Sequence, residues 1–179
     1  MCYKLFLCFI SVTLICTYSC KRQNDISCEY NRMYGKEINL PLSSMQCFQK
    51  ARSIHHSSLS MVTFIDSSEC TPCAIDDIYN WEVFINEAQK HKLDIEYIFI
   101  IAPQKKDIKY VNLHTIDIDG SIYIDTAYCF SRVNKLISQN PKFHSFAIDK
   151  NNKIVFIGNP TRNDRIAKLY DKLIINYKH

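Results

Sequence analysis

Two cysteines, Cys70 and Cys73, stand in the stretch "FIDSSECTPCAIDDIYNW" with only Thr71 and Pro72 between them. A pair at this spacing can share a zinc ion, close a small structural disulfide, or cycle between dithiol and disulfide. Zinc would need a second Cys or His pair, and Cys28, Cys47 and Cys129 are single residues far apart. A purely structural bridge across so short a loop contributes little, because stabilisation grows with loop length. Redox chemistry is therefore the favoured reading, provided that the neighbouring elements position the pair for it.

They are arranged to do so. "MVTFI" before the pair is a continuous apolar run, as expected of a central parallel strand buried on both faces. After the pair, Ile75, Ile78, Trp81, Phe84, Ile85 and Ala88 recur at spacings of three and four, which predicts an amphipathic helix to about His91. A helix N-terminus carries about half a positive charge and free N–H groups, so a thiolate at Cys70 is stabilised there and its pKa falls below the free value of ~8.5. Cys70 is then the nucleophile. Cys73, one turn onward and expected to be less exposed, resolves the mixed disulfide, and Pro72 fixes the helix start with a φ that is already helical.

Further along, "IEYIFIIA" and "SIYID" read as strands, "PQKKDIKYVNLH" as a weak helix or excursion, and residues 126–138 as a helix with Cys129 and Phe130 on its apolar face. "HSFAID", the turn "KNN" and "KIVFIG" predict a β-hairpin. Thr161 and Asp164 suggest a capping arrangement before a last helix carrying Ile166, Leu169, Tyr170, Leu173, Ile174 and Tyr177. Ahead of all this, "GKEINLPL" and "MQCFQKA" read as short edge strands, and "SIHHSSLS" as a loop whose His55 and His56 lack metal-ligand partners at suitable spacing. The order is one or two leading strands, β-α-β, a variable segment, β-α, then β-β-α. It predicts an α/β chain with a central mixed β-sheet flanked by helices and with extra N-terminal strands.

In that order, "GKEINLP", "FIDSSECTPC", "IYIDTAY" and "FHSFAIDKNNKIVFIGNP" resemble the thioredoxin-like lipoproteins of Gram-negative bacterial envelopes, in the class of extracytoplasmic thiol-disulfide oxidoreductases. The resemblance spans roughly residues 35 to 177. It implies a thioredoxin-like fold and a redox pair Cys70/Cys73 acting on protein or small-molecule thiols and disulfides, with no cofactor beyond that redox-active disulfide. Three departures bear on the site. Where the family places a cis-proline this chain has Phe143, expected to be trans because a non-proline cis bond costs ~3 kcal/mol. Where the family buries an acid, six residues ahead of the first cysteine, stands Phe64. Glu69 occupies the position of the family's tryptophan, and a carboxylate beside Cys70 disfavours the thiolate, so reductase or exchange chemistry is favoured over strong oxidation. His144 lies beside the loop that faces the cysteines in this fold. It is either an exposed strand-start residue or, with Cys70 and Cys73, part of a soft-metal site. No metal is expected; a metal-handling module and a binding domain with a vestigial pair are the alternatives.

Composition and targeting complete the reading. The 179 residues are 47% hydrophobic and 22% charged, with a net charge of +4 and no basic stripe, so nucleic acid is not an expected partner. Residues 1–19 carry an apolar run too short to cross a bilayer as a helix and read as a lipoprotein signal peptide. "TYSC" resembles a lipobox, with Cys20 as the lipid acceptor and membrane anchor. Residues 20–34 read as a polar tether and 35–179 as the folded domain, placed in the cell envelope on the periplasmic side. Of nine cysteines, removal of the signal and lipidation of Cys20 leave an odd number. Cys28 with Cys47 is a conceivable disulfide, and Cys129 reads as a buried inert thiol.

Overall fold

The computed structural model describes residues 26–52, 57–113 and 116–177, the side chains of 112 and 113 excepted. Cys20, His55 and His56 lie outside the described residues. Six strands form one mixed sheet: β1 (Gln46–Gln49), β2 (Leu59–Ile65), β3 (Ile95–Ile101), β4 (Ser121–Ile124), β5 (Ser145–Asp149) and β6 (Ile154–Ile157), in the spatial order β1-β4-β3-β2-β5-β6. β2, β3 and β4 run parallel, while β1, β5 and β6 are antiparallel to their neighbours.

Because side chains alternate across a strand, β2 divides itself between two cores. Leu59, Met61 and Ile65 meet Ile75, Ile78, Trp81, Ile85 and Tyr170 on one face. Val62 and Phe64 meet Met33, Ile38, Phe130 and Phe143 on the other. The first layer is built by α2 (Thr71–Ile78), α3 (Glu82–Lys90), α4 (Ile108–Leu113) and α6 (Asp164–Asn176), and the second by α1, helical over 26–33, and α5 (Cys129–Val133). β2 and β3, with both faces covered, are the apolar runs "MVTFI" and "IEYIFIIA" that the sequence marked as central strands.

Several expectations change. The single helix to His91 is two, α2 and α3, joined by a 3-10 turn at Tyr79–Trp81. Tyr79 and Trp81, at the two ends of that turn, stay in the right-handed helical region, so the apolar stripe continues across the break. The helix expected over 126–138 shrinks to α5. Tyr128 is left-handed at φ 54°, and the Asp125 carboxylate accepts from the N–H groups of Cys129 and Phe130 at 2.8 Å, which starts the helix there. Asn134 ends it and exchanges two hydrogen bonds with the backbone of Asn39. "GKEINLPL" is not a strand. It makes one isolated bridge, Glu37 to Lys153, before a 3-10 turn at Leu42–Ser44. Residues 26–33, read as part of a polar tether, are helical, because Met33 on their inner side is fully buried. The cap of α6 is Asn163, which accepts from the N–H groups of Arg165 and Ile166; Thr161 lies in the preceding 3-10 turn.

Candidate functional site

The turn that leaves β2 is closed by its own polar groups. Glu69 N–H donates to the Asp66 carbonyl at 2.9 Å, and Asp66 N–H returns a bond to Glu69 Oε1 at 3.1 Å. Ser68 Oγ donates to the Asp66 carboxylate at 2.7 Å, and Gln104, three residues past β3, donates to the Ser67 carbonyl at 2.8 Å. This turn delivers Cys70 to the N-cap of α2, in an extended conformation, with Pro72 within the first turn.

Cys70 and Cys73 are joined by a disulfide, their Cα atoms 5.4 Å apart. Both residues are exposed. Cys73 was expected to be the more sheltered of the two, and it is not: the first turn of α2 presents Cys70 and Cys73 alike to solvent while it buries Thr71 and Ala74. What distinguishes them is position, one at the N-cap and the other in the first turn. Thr71, between them, is completely buried.

His144 is not an exposed strand-start residue. Its side chain is 4% exposed, and both ring nitrogens are engaged: Nδ1 lies 3.0 Å from Glu69 Oε1, and Nε2 lies 2.9 Å from the carbonyl of Ser138. The His144 carbonyl accepts from Phe64 N–H at 2.8 Å, and the Phe64 and His144 rings pack with centroids 5.2 Å apart. β5 thus begins immediately beside the end of β2, because Thr63 and Ser145 are paired across the two strands. Phe143 is buried in the second core, and no peptide bond among the described residues is cis. Next to Glu69 and His144 is a crevice of about 30 Å³, also lined by Thr63, Ala74 and Pro141; neither cysteine lines it.

The structure therefore joins Glu69, Cys70, Thr71, Pro72, Cys73 and His144 at one end of the sheet, with Phe143 beside them. Sequence reasoning did not find Ser138 or Gln104, whose parts are a backbone carbonyl and a bridge between loops, features that leave no trace in residue type. Cys28 and Cys47 are exposed free thiols and are not paired. Cys129 is partly exposed, not buried, and its sulfur accepts from the Arg132 guanidinium at 3.2 Å. Among the described residues no three His, Cys, Asp or Glu side chains form a group that could hold a metal. With both its nitrogens occupied, His144 offers no lone pair to one.

No family model and no curated protein matches the chain. Solved structures do. A Chlorobium tepidum protein assigned as a thiol:disulfide interchange protein DsbE superposes with a TM-score of 0.50 at 13% identity, covering 80% of this chain and 97% of its own. A thioredoxin-like protein from Bacteroides caccae gives 0.51 at 10% identity, covering 87% of this chain and 54% of its own. With β-α-β ahead of a β-β-α ending, and a Cys-Thr-Pro-Cys disulfide where the first strand meets its helix, the chain has the thioredoxin-like fold.

Proposed function

We propose that this chain is an extracytoplasmic thiol-disulfide oxidoreductase that cycles Cys70 and Cys73 between dithiol and disulfide, as a reductase or exchange protein for protein or small-molecule thiols. The observation that carries the reading is the exposed disulfide at the N-cap of α2. In the oxidised form the cap position has no side-chain hydrogen bond, because the Cys70 sulfur is bound to Cys73. Reduction frees it. An N-cap acceptor is served by the N–H groups of the second and third helical residues, and since Pro72 has none, the N–H of Cys73 is the donor left to a Cys70 thiolate. The thiolate gains a hydrogen bond and the positive end of the helix together.

The chemistry balances within the pair. A Cys70 thiolate attacks a substrate disulfide, one substrate sulfur leaves as a thiolate and takes a proton from solvent, and a mixed disulfide remains. Cys73 then loses its proton, attacks the Cys70 sulfur and releases the second substrate thiol, so two electrons pass from the protein to the substrate. Both cysteines are exposed, so exchange at the surface with a protein thiol or disulfide fits the site.

Cys73→Ser should arrest the cycle at the mixed disulfide. Expressed in its native envelope and separated on a non-reducing gel, it is expected to show adducts that dithiothreitol dissolves and that Cys70→Ser does not form. If neither variant traps anything and the wild-type pair never changes redox state, the domain is a binding module with an idle disulfide. The metal-handling alternative has less support, because His144 is already committed to Glu69 and Ser138.

A further inference from the structure

The contacts of His144 contain a proton count. Ser138 offers a carbonyl, which can only accept, so Nε2 must carry a hydrogen. Nδ1 faces Glu69 Oε1 at 3.0 Å, and that oxygen already accepts from Asp66 N–H. A neutral imidazole with its hydrogen on Nε2, set against an ionised carboxylate, would point two lone pairs at each other in a site where His144 is 4% and Glu69 18% exposed. One more hydrogen must lie between them. Whether it is drawn on the ring or on the carboxyl, Glu69 and His144 together then carry no net charge.

We infer that Glu69 and His144 are a proton-holding pair that controls the Cys70–Cys73 disulfide: with the shared proton the pair presents no net charge to Cys70, and on losing it the pair leaves a bare carboxylate on the residue next to Cys70. This regulation rests on the redox cycle proposed above. Its direction follows from charge. At lower pH a Cys70 thiolate meets a neutral neighbour and keeps the full benefit of the helix N-terminus, so the disulfide is more easily reduced. At higher pH the carboxylate opposes the thiolate, and the bridge from the Cys70 turn to the segment 138–144 loses its hydrogen, so reduction becomes harder. Other groups facing His144 do not supply such a switch. β2 contributes the apolar Phe64 ring, and Asp77 of α2, which shares the crevice, is already ion-paired with Arg162. Both residues act through Cys70, as positioning residues.

Glu69→Gln separates the switch from the scaffold. Its amide nitrogen can donate to Nδ1 of a neutral His144 without the extra proton, with loss of the Asp66 N–H bond, which goes to the same oxygen. Two measurements on the full chain test the inference. The first is the nitrogen-15 imidazole spectrum of His144 in the oxidised wild type, which needs no variant. Two protonated or proton-sharing nitrogens are expected in the wild type while the pair holds its proton, and one bare nitrogen in Glu69→Gln. A wild-type His144 with one fully bare nitrogen from about pH 5 to about pH 9 overturns the inference.

The second is the equilibrium of each protein with reduced and oxidised glutathione over the same range. Two glutathione thiols supply two electrons and become a disulfide, while Cys70–Cys73 opens to a thiolate and a thiol and one proton goes to solvent. The ratio of the wild-type to the Glu69→Gln equilibrium constant, which cancels glutathione's own ionisation, should move about tenfold toward the disulfide as the wild-type pair loses its proton. A ratio that stays flat across that loss makes the pair scaffold only. Glutathione replaces any cellular partner in this test. A failure of the trapping experiment and a failure of the switch are therefore separate results.

Discussion

Thr71 sits in the middle of the motif, fully buried, and its hydroxyl is the buried side-chain polar atom left without a partner among the described residues. An unsatisfied buried hydroxyl costs roughly 1–3 kcal/mol relative to an apolar group of the same shape. Valine has that shape. Thr71→Val should therefore raise the stability of the oxidised protein by about 1 kcal/mol in urea unfolding, with the Cys70 adducts unaffected. A loss of stability instead would show that the hydroxyl has a partner, such as an ordered water. At this scale the sequence was informative about residues whose chemistry is local. Cys70, Pro72 and Cys73 could be placed because a strand, a two-residue gap and a helical repeat adjoin each other. The bond between Glu69 and His144 could not be read, because 75 positions separate them and nothing in either residue type specifies the other. Glu69 was accordingly taken as a bare charge opposing the thiolate, whereas His144 offsets it. The redox direction argued from that charge now depends on the state of the pair.

The element that completes the sheet's covered face, α6, is held by a buried contact. Tyr170 is 1% exposed, its hydroxyl lies 2.7 Å from that of Tyr97 on β3, and Tyr97 in turn donates to the Phe84 carbonyl of α3 at 3.1 Å. Three elements meet at two phenols. Burial pushes Tyr97 up to about 12 from its ordinary 10.0, with the bond to Tyr170 acting weakly the other way. Burial raises Tyr170 further still, helped by Tyr97. Both groups hold their protons longer when folded than when unfolded, so their linkage leaves stability untouched below about pH 10 and erodes it as pH rises from there through about 12. Denaturant midpoints measured across that window should fall in the wild type and fall less steeply in Tyr170→Phe, which removes one of the two ionisations. Equal slopes would mean that the tyrosines do not govern alkaline unfolding. Strands and their order were legible because apolar runs and turn residues are short-range signals. Helix ends were less so. α5 is cut short by the left-handed Tyr128 and by Asn134, whose amide is drawn to Asn39, a contact made across 95 positions.

For the molecule as a whole, α1 changes what an anchor at Cys20 would mean. Met33, at the end of α1, is fully buried in the second core, so the chain is already held to the domain ahead of residue 35, where the sequence alone placed the boundary. Only six peptide steps separate Cys20 from Ile26, the first described residue of that helix. Even fully extended they span no more than ~20 Å, so a lipid on Cys20 would hold the domain against the bilayer and restrict its partners to disulfides within that reach. No helix among the described residues is long and apolar enough to cross a membrane. Feeding cells an alkyne-tagged fatty acid should label the wild-type protein, and Cys20→Ala should lose that label. Adducts trapped by Cys73→Ser should also change when a long Gly/Ser linker is inserted at residue 24, because a flexible linker extends the domain's reach and opens partners farther from the surface. Label retained in Cys20→Ala would place any acyl group elsewhere. An unchanged adduct pattern after the insertion would show that distance from the membrane does not select the partners.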